Sequence, residues 1–137
     1  RGFSTFVNAT IAQSGGPNAA DFTPFAHKNI NWGLSYNRGP FSFRFNTAFA
    51  YRVTGALNAA SATIPAGTRS YVAPQITQDW SFDYRVSNRF TLYGGARNWN
   101  GANKRTERFG PGAQPWTRPQ VFQNFGTLVT FGLRTQF

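Results

Sequence analysis

The chain has 137 residues, of which 18% are aromatic and only 13% charged, and its formal net charge is +10. The absence of cysteine excludes a disulfide framework, a zinc finger and thiol chemistry, and no apolar run approaches the roughly 18–20 residues of a membrane-spanning helix. The basic residues are dispersed and no recognition motif accompanies them, so the charge does not indicate a nucleic-acid-binding protein.

The length allows one domain. The sequence contains no Met and begins without a signal peptide, so we expect Arg1 to start a processed chain or a fragment. Period-two alternation of apolar and polar residues then predicts six β-strands. The clearest alternation in the body of the chain runs from Phe41 to Val53, where Phe, Thr, Tyr and Val alternate with Ser, Arg, Asn and Ala. The predicted strands lie near residues 3–12, 28–37, 41–53, 75–86, 89–98 and 124–137.

The connections between these strands alternate in length. Tight turns are predicted at Asn37-Arg38-Gly39-Pro40 and at Ser87-Asn88. Long connections rich in Gly, Pro, Asn and Ala are predicted near residues 13–26, 54–74 and 98–123. This asymmetry is typical of outer-membrane β-barrels, which have short periplasmic turns and long extracellular loops.

The charged residues within the strands also follow the alternation. Seven of them fall on the face opposite the aromatic residues: Arg44, Arg52, Asp79, Asp83, Arg85, Arg97 and Arg134. Arg or Lys on a lipid-facing surface near mid-membrane costs roughly 2–4 kcal/mol, whereas a charge facing a wet lumen stays hydrated. The exception, Lys28, lies at a strand end, where its side chain can reach the interface. A β-sandwich with one wet face has the same parity, so the prediction of a barrel also depends on the aromatic face, the loop asymmetry and the last strand.

The last strand carries a resemblance to a known family. Every second residue from Phe137 back to Phe125 is apolar or Thr. Thr130, Gly132, Leu133 and Phe137 resemble the assembly signal of bacterial outer-membrane β-barrels, which the barrel assembly machinery reads; Thr135 stands where a second aromatic or aliphatic residue is usual. Together with the preceding TLYGGARNWNGANKR, the run resembles the C-terminal end of a TonB-dependent receptor.

The resemblance implies an all-β fold, a transmembrane antiparallel up-and-down β-barrel of about 22 strands surrounding a plug. Residues 1–137 would supply about six of those strands, with the plug and the TonB box outside the chain. Six strands alone would leave two sheet edges with unsatisfied backbone groups in lipid. An oligomer of six-stranded pieces is the alternative way to cover those edges.

By the same resemblance, the expected function is the uptake of a scarce nutrient, such as a siderophore–iron complex, cobalamin or a glycan, across the bacterial outer membrane. The expected partners are outer-membrane lipid and lipopolysaccharide, the rest of the barrel and plug, the TonB complex through the plug, and the barrel assembly machinery; no nucleic acid, cofactor or enzymatic activity is expected. The alternatives are a structural or scaffold barrel component and a passive porin, both without energised transport.

Two groups of residues are candidate contact sites, and neither resembles a catalytic or metal-binding constellation. The first is a lumen-facing basic wall that attracts anionic solutes or holds a plug, with ordinary packing against Asp and Asn as the alternative: Arg44, Arg52, Arg85, Arg97 and Arg134. The second lies in the last extracellular loop and contacts lipopolysaccharide phosphates or an anionic ligand, with a solvated loop as the alternative: Lys104, Arg105, Arg108 and Trp116. The single histidine, His27, is interpreted as a surface side chain.

Overall fold

The computed structural model describes residues 2–13 and 26–136. Its strands are β1 (Phe3–Ile11), β2 (Lys28–Arg38), β3 (Phe41–Ala50), β4 (Val53–Leu57), β5 (Arg69–Val72), β6 (Gln75–Arg85), β7 (Phe90–Arg97), β8 (Asn103–Phe109), β9 (Pro119–Asn124) and β10 (Leu128–Thr135). A single turn of 3₁₀ helix, Pro115–Thr117, precedes β9. In these two ranges no helix has the length and apolar character needed to cross a membrane.

Six of the strands form one antiparallel sheet in the order β1-β2-β3-β6-β7-β10. They correspond to the six strands expected from the alternation, which confirms the all-β antiparallel class. The register places like residues side by side. Phe43 lies opposite Tyr36 and Phe82, and Phe45 lies opposite Leu34 and Trp80. Aromatic and branched residues favour strands because such cross-strand pairs stabilise the sheet.

Both predicted tight turns are present. Arg38 pairs with Phe41, so only Gly39 and Pro40 connect β2 to β3, and Gly39 has a φ of 55°. At the other turn the backbone N–H of Val86 donates to the carbonyl of Phe90, 2.9 Å away. These two turns therefore lie at the same end of the sheet. The first predicted long connection, near residues 13–26, falls almost entirely outside the described residues.

The other two predicted long loops are wrong as loops, because each contains a hairpin. β4, β5, β8 and β9 form a second, four-stranded antiparallel sheet in the order β4-β5-β8-β9. This order matches the order β3-β6-β7-β10 in the six-stranded sheet. Each strand of the four-stranded sheet is therefore the continuation of one of these strands beyond a short break. The alternation missed these strands because β8, Asn103–Phe109, is mostly charged and polar and shows no apolar period.

Two predicted strand boundaries are also corrected. The strand expected over residues 41–53 ends at Ala50, and Val53 begins a strand of the other sheet. The strand expected over 124–137 begins at Leu128, because Gly126 has a φ of 66° and its N–H donates to Oδ1 of Asn124, 2.8 Å away. This local turn interrupts the extended backbone, although the alternation of residue types passes through it.

Asn98 holds the junction between the two sheets. It has a left-handed backbone, with a φ of 53°, and its own N–H donates to Oδ1 of Asp79 at 2.8 Å. Its side-chain Nδ2 donates to the carbonyls of Ala102, at 3.2 Å, and Gly126, at 2.8 Å, while its Oδ1 accepts the N–H of Ala102 at 2.8 Å. The hydroxyl of Thr127 donates to the Asn98 carbonyl at 2.9 Å. One side chain thus connects the breaks that follow β7 and β9.

The described residues form almost no apolar core. Ala96 is their one buried hydrophobic side chain, and Thr68 their one buried polar one. The chain exposes 9908 Å² of surface, whereas a compact monomer of 15.2 kDa exposes about 7,100 Å². A single layer of sheet contributes to this excess, because within residues 2–13 and 26–136 no second layer covers either face of the six-stranded sheet.

Candidate functional site

The six-stranded sheet has one face that we call the apolar face. Its strands contribute, in register, Val7, Trp32, Thr47 and Gln78 across one row and Leu34, Phe45, Trp80, Ala96 and Val129 across the next. Large side chains on the two edge strands of this face stay exposed: Phe131 keeps 64% of its surface accessible and Val7 keeps 65%. Those of the central strands, such as Phe45 and Trp80, are partly exposed. Contiguous exposed apolar patches of more than a few hundred Å² are rare on soluble monomers and mark surfaces that contact a partner or a membrane.

Several glycines of the six-stranded sheet lie directly beneath aromatic rings, which pack against their backbone. A Cβ added to Gly94 would lie 2.6 Å from the ring of Phe131 and 2.7 Å from that of Phe82, so both rings pack over this backbone on the apolar face. On the opposite face the ring of Tyr93 covers Gly132, and the ring of Phe6 covers Gly33. The strand glycines are therefore packing positions, as their place within strands suggests.

We call the opposite surface of the six-stranded sheet the polar face. Arg44, Asn46, Asp79, Tyr93 and Arg97 line a concavity there of about 650 Å³. Asn46 pairs with Asp79, and Arg44 pairs with Ser81. Two large aliphatic or phenyl side chains, those of Phe6 and Leu128, share this face and are exceptions to the alternation.

Four of the five residues of the predicted basic wall lie on the polar face. Arg44 and Arg97 line the concavity, the guanidinium of Arg134 lies 5.4 Å from the ring centre of Tyr93, and Arg85 pairs with Thr91 where β6 ends. Arg52 does not belong with them, which corrects its placement on a strand of this sheet. It lies in the break between β3 and β4, with its guanidinium 4.8 Å from the ring centre of Tyr71.

The predicted assembly-signal residues lie on β10, the edge strand. Thr130 pairs with Gly95 and belongs to the lining of the concavity, Gly132 seats Tyr93, and Leu133 is 58% exposed on the apolar face. Phe137 lies outside the described residues. The structure therefore assigns Thr130 and Gly132 to one face and Leu133 to the other, and whether they act as a signal stays a prediction.

The basic residues of the predicted extracellular-loop site lie on different faces of the four-stranded sheet. Arg105 lies on one face of β8, while Lys104 and Arg108 lie on the other, since successive residues of a strand point to opposite faces. Trp116 belongs to the 3₁₀ turn and is 77% exposed. The four residues therefore do not form a single site.

Arg105 belongs to a surface that the sequence did not reveal, which we name the arginine–aromatic face. Tyr71 pairs with Glu107 and Arg69 pairs with Phe109, so all four share the face of β8 that carries Arg105. The rings of Tyr71 and Phe109 meet edge to face at 5.7 Å. The guanidinium of Arg118 lies 5.3 Å from the ring centre of Phe109. With Arg52 over Tyr71, the face consists of Arg52, Arg69, Tyr71, Arg105, Glu107, Phe109 and Arg118.

Within residues 2–13 and 26–136, no group of three or more His, Asp and Glu side chains is close enough to hold a metal ion. Nδ1 of His27 lies 3.3 Å from the carbonyl oxygen of Ala12, which ties the imidazole to the end of β1.

No protein-family model, curated protein or solved structure matches this chain.

Proposed function

We propose that this chain forms part of the wall, together with two outer hairpins, of an outer-membrane β-barrel that acts as a TonB-dependent receptor. The observation that carries the membrane assignment is the sheet with two unlike faces and no core. Its apolar face needs a covering as large as itself, and hydrocarbon supplies one without a second protein layer. Its polar face needs water, which a barrel lumen supplies.

The dimensions of the sheet support this proposal. β2 and β6 have 11 residues each, which corresponds to about 37 Å along the strand at roughly 3.4 Å per residue. A strand tilted by about 45° then rises about 26 Å, close to the apolar band of roughly 25 Å that outer-membrane barrels present to lipid. The two short turns lie at one end and the hairpins at the other, as in barrels with periplasmic turns and extracellular loops.

The edges of the sheet support a larger assembly. β1 and β10 each pair on one side only, and an unpaired backbone group in lipid costs several kcal/mol. Further strands, from a longer chain or from other copies, would remove both edges. The finer assignment to TonB-dependent uptake of a scarce nutrient rests on the resemblance of the last strand to that family, and a scaffold barrel or a passive porin would use the same wall.

Tryptophan quenching by lipid tests the membrane assignment. Of the four tryptophans, Trp80 lies on the apolar face and Trp116 on the outer 3₁₀ turn. Two variants, each retaining only one of these and carrying Phe at the other three positions, would be reconstituted in phosphatidylcholine with brominated acyl chains. We expect strong quenching of Trp80 and weak quenching of Trp116. Equal quenching, or none, would contradict the assignment.

Conductance separates energised transport from a passive pore. A receptor filled by a plug gives no steady ion current in a planar bilayer, whereas a porin gives stable ohmic steps. The measurement requires the full-length gene product that contains these residues. Steady steps would favour the porin; a closed barrel whose function does not change on loss of the TonB complex would favour the scaffold.

A further inference from the structure

The charged side chains of the four-stranded sheet are sorted between its two faces. The arginine–aromatic face carries four arginines, Arg52, Arg69, Arg105 and Arg118, all exposed to solvent. Among the described residues of this sheet Glu107 is the single carboxylate. Positive charge therefore exceeds negative charge on this face, and it does so beside aromatic rings that reduce local hydration.

Contact with an aromatic ring restricts the orientation of two of these arginines. Arg52 and Arg118 lie over the rings of Tyr71 and Phe109 at 4.8 and 5.3 Å. A guanidinium stacked on a ring keeps its N–H groups around its rim, where they can form paired hydrogen bonds with a carboxylate or phosphate. Stacking also limits the rotamer freedom that binding would otherwise remove. The geometry is thus suited to oxyanions with at least two oxygen atoms.

The arginine–aromatic face lies beyond one end of the six-stranded sheet. Its strands β4, β5, β8 and β9 directly follow or precede β3, β6, β7 and β10 in the chain, so they lie at the end opposite the two short turns. In the proposed barrel this is the extracellular end, where a solute arrives before it reaches the concavity lined by Arg44 and Arg97. Basic groups concentrated there attract anions from solution.

We propose that the arginine–aromatic face captures a soluble polyvalent oxyanion, a solute that carries several phosphate or carboxylate groups. The inference rests on the proposed function in taking this solute as the molecule to be transported, with the concavity as its next position. Neutral solutes gain nothing from the stacked guanidinium groups. The opposite face, with Lys104 and Arg108, serves as an internal control because it carries basic residues without the two stacked pairs.

The test compares two matched double variants with the unmodified protein in zwitterionic phosphatidylcholine vesicles, using labelled pyrophosphate in equilibrium dialysis. Arg52→Gln/Arg118→Gln removes the two arginines that lie over the rings, and Lys104→Gln/Arg108→Gln removes two positive charges from the opposite face. We expect the first to weaken pyrophosphate binding by roughly tenfold or more, since each charge-assisted hydrogen bond contributes at least about that factor. We expect less than about a threefold change from the second. Citrate should compete with pyrophosphate, and sucrose should not.

Several results would overturn the inference: no pyrophosphate binding by the unmodified protein, equal weakening by both double variants, or binding only to vesicles that contain phosphatidylglycerol. The last result would assign the charge to a lipid surface. Should a double variant lose its fold by circular dichroism, the single variants Arg52→Gln and Lys104→Gln provide the same comparison at two exposed positions. Brominated-lipid quenching of the same samples separates the two proposals, because quenched Trp80 without anion binding contradicts only this inference.

Discussion

An arginine placed on either face of β3 should report which face contacts lipid. Phe45 lies mid-strand on the apolar face between Leu34 and Trp80, and the next residue, Asn46, lies on the polar face opposite Asp79. Loss of the Phe45 ring alone, in Phe45→Ala, should cost about 1.5–3 kcal/mol. Phe45→Arg should cost a further 2–4 kcal/mol or so, because the charge lies near mid-membrane.

Asn46→Arg is the matched control. Its guanidinium would extend into the concavity beside Asp79, so we expect a change within about 1 kcal/mol. The difference between the two arginine variants is then about 2.5–8 kcal/mol, which at about 1.4 kcal/mol per factor of ten shifts the folding equilibrium by about 60-fold or more.

The assay is urea unfolding of vesicle-inserted protein, followed by tryptophan fluorescence, with the free energy extrapolated to zero denaturant. Phe45→Ala separates the loss of the ring from the gain of the charge. If Phe45→Arg were no less stable than Phe45→Ala, or if Asn46→Arg cost as much as Phe45→Arg, the assignment of the two faces to lipid and water would be wrong.

Three further predictions concern residues that the sheets hold in place. Gly132→Ala should destabilise the protein by about 1–3 kcal/mol because the new methyl group meets the ring of Tyr93; the cost should fall when Tyr93→Ala is added, and additive costs in a double-mutant cycle would contradict this packing. Asn98→Ala removes three side-chain hydrogen bonds at the junction and should cost about 1–3 kcal/mol, with faster protease cleavage between the sheets; unchanged cleavage and melting would refute the role of this side chain. Gly126→Ala should cost about 1–2 kcal/mol in thermal unfolding, since its φ of 66° is unfavourable for any residue with a Cβ, whereas Thr127→Ala should cost less, and the reverse ranking would count against the turn.

The six-stranded sheet could be predicted because the difference in polarity between its two faces requires apolar and polar residues to alternate along each strand. A strand with one face in an apolar environment and the other in a polar one must alternate, and the run from Phe41 to Ala50 does so at nearly every position. The short turns were predictable for a similar reason, because Gly39 supplies the positive φ that a two-residue connection needs.

The four-stranded sheet could not be predicted in this way. Both faces of β8 carry charged residues, so its alternation separates Arg105 from Lys104 without any contrast in polarity. The breaks were hidden for the opposite reason: around Arg52 and Gly126 the residue types keep alternating while the backbone leaves the ladder. The arginine–aromatic face depends on pairing between β5 and β8, which are more than thirty residues apart, and no local pattern encodes that pairing.

The breaks between the two sheets keep changes in the four-stranded sheet from altering the register of the six-stranded sheet. Because the side chain of Asn98 fastens both ends of the β8–β9 hairpin at its base, residues between 103 and 124 can be lengthened, shortened or exchanged without sliding β7 against β10. A homologue or an engineered variant could therefore acquire a new ligand preference in its hairpins while every pair from Arg97–Leu128 to Phe90–Thr135 stays matched.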